Sequence, residues 1–272
     1  DWKLVPEDPN PGNLAAGEAA DIHFAITVPA NATITRPYFT RPNLEQPYYD
    51  ISNPAYLNLS WMPYPLSARA TLTYRGVDIV LDQVVQTVHR VTGLGPMFNP
   101  MIVSPAISVW VSPAAGIVPL NSKSLKLTVS IHSNVKGPAT GTVSLHIPAG
   151  WASVPREASF ITTRDGDERN IEFEVIPGAV EARTYRITAA VNYQGHSYTS
   201  GSTTVGYPEL RPYPYYRDAT YQATGVDIHL PSGMKVGYVT GTGDSVPGSL
   251  EDISIQGIFL AAEDIATAGL SS

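Results

Sequence analysis

The chain has 272 residues, 43% of them apolar and 15% charged, with 22 glycines, 24 prolines and no cysteine. That balance excludes a disordered chain, the missing Gly-x-y period excludes a collagen, and the lack of cysteine excludes disulfides, thiolate zinc sites and cysteine nucleophiles. With 17 basic against 24 acidic residues, a net charge of -7 and no basic cluster, nucleic acid is not an expected partner; no apolar run reaches the roughly 18 residues of a membrane span. The first residue is Asp1 rather than Met, so the chain reads as a processed or excised piece.

The dominant period is two. Ile22, Phe24, Ile26 and Val28 alternate with Asp21, His23, Ala25 and Thr27, the pattern of a strand with one face on a core. It recurs at Leu57, Leu59 and Trp61, at Ala70, Leu72 and Tyr74, and at Val77, Ile79 and Leu81, where Arg75-Gly76 joins the last two runs as a tight hairpin. A run from Val84 to Val91 ends in Thr92-Gly93-Leu94-Gly95-Pro96, because proline removes a ladder donor. Residues 1–103 are therefore expected to form a first antiparallel β-sandwich.

The pattern restarts after Pro105 with Ile107, Val109 and Val111. Leu125, Leu127, Val129 and Ile131 follow, then Val143, Leu145 and Ile147, then Ile171, Phe173 and Val175, then Tyr185, Ile187, Ala189 and Val191. Asp165-Gly166 and Gln194-Gly195 read as hairpin turns. Short strands with turns every 8 to 12 residues or so predict a second, immunoglobulin-like sandwich over residues 104–207. In residues 208–232, Pro208, Pro212 and Pro214 are interleaved with Tyr207, Tyr213, Tyr215 and Tyr216, which predicts a Pro/Tyr-rich connector. Residues 233–272 read as strand, glycine loop, helix and strand, the start of a truncated α/β unit.

The run Ile147-Pro148-Ala149-Gly150-Trp151, followed by Phe160 and Ile176-Pro177-Gly178-Ala179, resembles the sandwich appended to sugar-active enzymes and called NPCBM-associated or alpha-galactosidase-associated. Adding Arg36-Pro37-Tyr38-Phe39, Arg41-Pro42, Gly206-Tyr207-Pro208 and the segment from Val236 to Pro247, almost the whole chain resembles the C-terminal extension of large bacterial PIG-L type (LmbE-like) N-acetyl-sugar deacetylases. That resemblance implies a non-catalytic accessory region, an upstream zinc-dependent catalytic domain in the same polypeptide, a flavodoxin-like character for the last unit, and an extracytoplasmic (periplasmic or secreted) location. The family's His-Pro-Asp-Asp motif is absent here, so no catalytic residue carries over and no cofactor is expected in this chain. The alternative is a structural or protein-interaction sandwich module of another sugar-active enzyme.

Two groups of tyrosines are the candidate carbohydrate-binding residues: Tyr48, Tyr49, Tyr56, Trp61 and Tyr64 in a Pro- and Asn-rich stretch, and Tyr213, Tyr215 and Tyr216 in the connector. Flat rings stack on sugar faces, although the same amphipathic rings also pack interfaces. Gly241, Gly243 and Ser245 form a candidate anion loop before a helix, against which stand Asp244 and the absence of a Gly-x-Gly-x-x-Gly spacing. His132 with His146 is a conceivable surface metal pair but lacks a third ligand, and Asp227 with His229 a conceivable acid/base pair. Glu172 and Glu174 read as charges on an edge-like strand. Trp151 is expected to cap the sandwich core.

Overall fold

The computed structural model describes residues 2–29, 31–43, 45–59, 63–207, 212–229, 234, 236–241, 246–252, 255 and 257–261. The chain divides into two units, residues 1–104 with 203–215 and residues 105–202 with 216–272.

In the first unit β1 (Lys3–Pro6) pairs antiparallel with β2 (Phe24–Thr27), β3 (Phe39–Thr40) with β4 (Asp50–Ile51), β5 (Ser67–Tyr74) with β6 (Val77–Val84), and β7 (Gln86–Val91) with β8 (Gly95–Pro100). Arg75 and Gly76 both take positive φ, 52° and 80°, the turn that matches strand twist in a two-residue hairpin. Its register sorts the side chains. Tyr74 faces Val77, Leu72 faces Ile79 and Ala70 faces Leu81 on one side. On the other, Arg69 binds Asp82 with both fork nitrogens (2.7 and 3.0 Å) and the Thr73 hydroxyl donates to Asp78 (2.6 Å).

The apolar side of this hairpin is uncovered: Leu72, Tyr74, Val77, Ile79 and Leu81 are all exposed. The sandwich expected over 1–103 is therefore corrected. Among the described residues this unit is a set of separate two-stranded ladders, and only Thr35, Pro100 and Pro214 are buried. Alternation tells which face of a strand is apolar; a core needs a second layer on that face.

The second unit supplies that layer. Its strands are β9 (Ile107–Ser112), β10 (Ala115–Pro119), β11 (Leu125–Ser133), β12 (Ala139–His146), β13 (Ala152–Val154), β14 (Glu157–Thr162), β15 (Glu168–Ile176), β16 (Thr184–Tyr193) and β17 (His196–Tyr198). After β18 (Ser200–Val205) and β19 (Tyr213–Asp218), which pair with one another, comes β20 (Thr220–Val226). One sheet runs β13-β15-β11-β9 and the other β10-β20-β16-β12-β14 with β17 beside β16. All pairs in these two sheets are antiparallel except β10 with β20. This is the two-sheet arrangement of an immunoglobulin-like sandwich.

The inner faces are Ile107, Val109, Leu127, Val129, Ile131, Phe173 and Val175 against Val118, Val143, Phe160, Ile187, Val191 and Ala223, all at most 3% exposed. Each fully buried large side chain of this kind is worth about 1.5–3 kcal/mol. Trp151 closes one end, its ring 4.9 Å from Tyr185. At the Gln194-Gly195 hairpin both φ values are positive, 48° and 77°.

Four expectations need correction here. Asp165-Gly166 is not a hairpin turn but a corner that carries the chain from one sheet to the other, since β14 lies beside β12 and β15 between β13 and β11. The corner is fixed by Asp167, which accepts from the Thr163 N–H (2.8 Å) and hydroxyl (2.6 Å); these bonds, with Arg164, bring its carboxyl down to about 2. Because β13 flanks β15 at residues 174–176, Glu174 is exposed on an interior stretch of strand, opposite Lys126 and beside Val154, whereas exposed Glu172, opposite Thr128, lies just before the β13 pairing begins.

The connector expected over 208–232 contains a central strand. In β20, Tyr221 and Ala223 point into the core and Gly225 is buried with them, between β10 and β16; the sandwich thus extends beyond residue 207. Finally, β21 (Val236–Thr240) and β22 (Gly257–Ala261) pair in parallel with α1 (Val246–Asp252) between them. The strand-helix-strand order is as expected, but a two-stranded ladder among the described residues is not a flavodoxin-like sheet. A parallel sheet of that kind needs several strands covered on both faces. Among the described residues no helix is long and apolar enough to cross a membrane.

Candidate functional site

The first unit gathers aromatic rings that are distant in sequence. The β3–β4 ladder sets Phe39 opposite Ile51 and places the Tyr49 ring edge-on to Phe39 at 4.9 Å. Asn53 starts a 3-10 turn over Pro54–Tyr56, its side chain accepting from the Ala55 N–H (3.0 Å), as a cap of this type does. That turn delivers Tyr56 to within 6.1 Å of Tyr38. Tyr38 lies edge-on to Phe39 at 5.4 Å and donates its hydroxyl to the Leu59 carbonyl (2.9 Å). From the other end of the unit, Tyr213 brings its ring 6.0 Å from Phe39. Burial, and the nearby Tyr38 and Tyr64, raise its hydroxyl above the ordinary tyrosine value.

The result is a cluster centred on half-buried Tyr38 and Phe39. Around it are half-buried Tyr56, Tyr64 and Tyr213 and the more open Tyr49. Edge-to-face pairs of this kind contribute about 0.5–1.5 kcal/mol each beyond the area they bury. Tyr48 and Tyr49 stand on the outside, 63% and 56% exposed, and the Arg41 guanidinium lies 5.9 Å from the Tyr49 ring centre. A cation at that distance holds a ring in place without covering its whole area.

The structure thus joins Tyr213 of the second tyrosine group to the first group. Tyr215 is exposed at 52% and Tyr216 half-buried on the opposite phase of β19. Trp61 lies outside the described residues. So do Gly243 and Ser245 of the anion loop; Gly241 follows the end of β21. The central pair, Tyr38 and Phe39, belongs to a motif that was legible as Arg-Pro-Tyr-Phe, but only its ring chemistry, not tyrosine density, marks it as the hub.

The histidine readings separate. His132 and His146 sit on β11 and β12, in different sheets, so they are not neighbours; His132 instead meets Glu168 at 3.3 Å and lies edge-on to Trp110. Asp227 and His229 do approach, at 3.3 Å, with both side chains largely exposed. Asp8 and His23 form a third such pair at 2.5 Å. Among the described residues no three His, Asp or Glu side chains gather as a metal site.

No protein-family model matches the chain, and no curated protein matches it. Among solved structures it is similar to the apo-form Calx CBD1 domain, at 16% identity and a TM-score of 0.28, over 45% of this chain and 100% of that one. It is similar to the periplasmic chaperone SfaE at 14% identity and a TM-score of 0.26, over 46% of this chain and 61% of the chaperone. The cupredoxin domain of amoB from Nitrosocaldus yellowstonii gives 15% identity and a TM-score of 0.26, over 48% of this chain and 95% of that domain. The sandwich assignment rests on this chain's own strand pairing.

Proposed function

We propose that the chain is a non-catalytic accessory region of a sugar-active enzyme, similar to the C-terminal extension of PIG-L type N-acetyl-sugar deacetylases, and that it presents tyrosine rings to glycan outside the cytoplasm. In this reading the zinc chemistry belongs to an upstream domain of the same polypeptide. The supporting observation is the exposed pair Tyr48 and Tyr49, with Tyr49 braced from behind by Phe39. Rings held by neighbours lose little conformational entropy on stacking, so a sugar face that covers them gains apolar contact at low cost.

Titration of the chain with chitooligosaccharides and with peptidoglycan fragments, followed by tyrosine emission, tests the reading. Quenching or enhancement that saturates at millimolar ligand and vanishes in Tyr48→Ala/Tyr49→Ala supports it. An unchanged spectrum at those concentrations removes it.

A second reading, a protein-interaction module, is favoured by the uncovered row Leu72, Tyr74, Val77, Ile79 and Leu81 on the β5–β6 hairpin, since a two-stranded hairpin is marginal alone. Leu72→Lys/Ile79→Lys separates the two readings: it abolishes capture of a protein partner and leaves sugar binding unchanged.

A further inference from the structure

We propose that the sandwich carries a second sugar-binding site, for a neutral sugar unit, in the depression at its Pro148-Ala149-Gly150-Trp151 corner. It rests on the reading that the chain engages glycan, but on residues other than the tyrosines. The depression has a volume of about 900 Å³, within the roughly 300–1,000 Å³ of small-molecule sites. One continuous excursion, residues 144–157, builds it. The chain leaves β12, adds β13 to the edge of the facing sheet, and returns as β14 beside β12.

Three features keep this excursion in shape. Gly150 takes φ +81°, in the left-handed region that favours glycine. The Trp151 N–H donates to the Pro148 carbonyl (3.1 Å), and the Trp151 ring is buried against Tyr185. Gly178 packs so close to Gly150 that a side chain there would lie 2.7 Å from the Gly150 carbonyl. The walls are therefore set before any ligand arrives, which reduces the ordering cost of binding.

The polar groups around the depression are Arg156, Glu157, Ser144 and Ser153, and Ser144 faces Glu157 in the β12–β14 register. Elsewhere in this unit four arginines are engaged, Arg164 by Asp167, Arg169 by the Ile161 carbonyl, Arg183 by Glu181 and Arg186 by Asp218, whereas exposed Arg217 shares the open state of Arg156 among the described residues. Among the described residues no hydrogen bond or ion pair occupies the side chain of Arg156, Glu157, Ser144 or Ser153. The lip thus offers a donor fork, an acceptor carboxylate and two hydroxyls above half-buried Ile147 and Pro148.

Arg156 and Glu157 together add no net charge to the lip, so an anion meets Glu157 and a cation meets Arg156. The several hydroxyls of a sugar ring suit both, since a hydroxyl accepts from a guanidinium and donates to a carboxylate. The C–H face of the ring then rests on Ile147 and Pro148. That combination selects an uncharged polyhydroxylated ring over an ion.

The test is amide NMR of the full chain titrated separately with chitotriose, cellotriose, maltotriose and trigalacturonate to millimolar concentration. At least one neutral trisaccharide should shift the amides of Ser144, Gly150, Ser153 and Arg156. Arg156→Ala and Glu157→Gln, both at exposed positions, should each weaken that binding about tenfold or more while leaving the rest of the spectrum in place. In Tyr48→Ala/Tyr49→Ala the corner shifts persist. A silent corner with responsive tyrosines overturns this proposal alone, and silence at both places overturns the glycan reading as well. Shifts produced only by trigalacturonate and retained in Glu157→Gln overturn the proposal in favour of an anion site.

Discussion

Replacing Gly225 by alanine decides whether residues 220–226 are a core strand or a connector. Gly225 pairs with Val118 of β10, and its N–H donates to the Arg183 carbonyl (2.9 Å). A methyl group there would run into the Glu181 carbonyl oxygen, with the Glu181 carbonyl carbon at 3.1 Å and Val180 Cγ1 at 3.0 Å. Overpacking costs about 1–3 kcal/mol, and because the nearest atoms are main chain, which cannot swing aside, the upper end applies. For a domain of this size about 3 kcal/mol lowers Tm by roughly 10–15 °C. Gly137→Ala is the control, since nothing lies within 4 Å of the added methyl and its backbone suits any residue. Thermal unfolding followed by circular dichroism reads the difference. If Gly225→Ala melts within about 2 °C of the parent, β20 is not held between β10 and β16 and the placement of this strand is wrong.

Three further outcomes follow from the same geometry. Phe173→Ala, at a fully buried position, should cost about 3–5 kcal/mol in urea unfolding, and a smaller loss would mean a looser core. The Asp8–His23 pair gives the β1–β2 ladder a pH window. The His23 N–H and ring hold the Asp8 carboxyl below its ordinary 3.8, and Asp8, with the charges of Asp21 and Glu7, raises His23 above 6.5. The raised histidine stabilises fully below pH 6.5 and fades as pH rises through its folded value; the lowered aspartate stabilises above pH 3.8 and fades as pH falls through its own. His23 ring signals should therefore titrate late, and in Asp8→Asn they should return toward the ordinary value. Incubated with zinc and N-acetylated oligosaccharide, the chain alone should release no acetate above background; sustained turnover would place chemistry within it.

Much of the sandwich was legible because its strands separate large apolar from polar side chains without interruption. In β11, Leu127, Val129 and Ile131 are buried while Lys126 is exposed and Thr128 and Ser130 are half-buried. In the other sheet β20 escaped because its inward positions are Tyr221, Ala223 and Gly225, of which two are too small to register as a hydrophobic run, while the prolines just before it suggested a break. The β5–β6 hairpin was also legible, in turn and register alike. Its lack of cover was not, because periodicity describes one strand and burial depends on what lies opposite. The aromatic cluster shows the same limit: the crowding of Tyr48, Tyr49 and Tyr56 is visible along the chain, whereas the meeting of Phe39 with Tyr213 depends on a long-range approach that no local pattern encodes.

Retention on insoluble chitin and on purified peptidoglycan measures the main proposition most directly, comparing the full chain with Tyr48→Ala/Tyr49→Ala. Tyr48 and Tyr49 are exposed and the lost Tyr49–Phe39 edge contact costs only about 0.5–1.5 kcal/mol, so the variant should stay folded, with a slightly lower Tm. The parent should be retained on at least one of the two matrices and the variant should pass through. Equal passage of both proteins, or equal retention, would contradict a glycan-facing role for these rings.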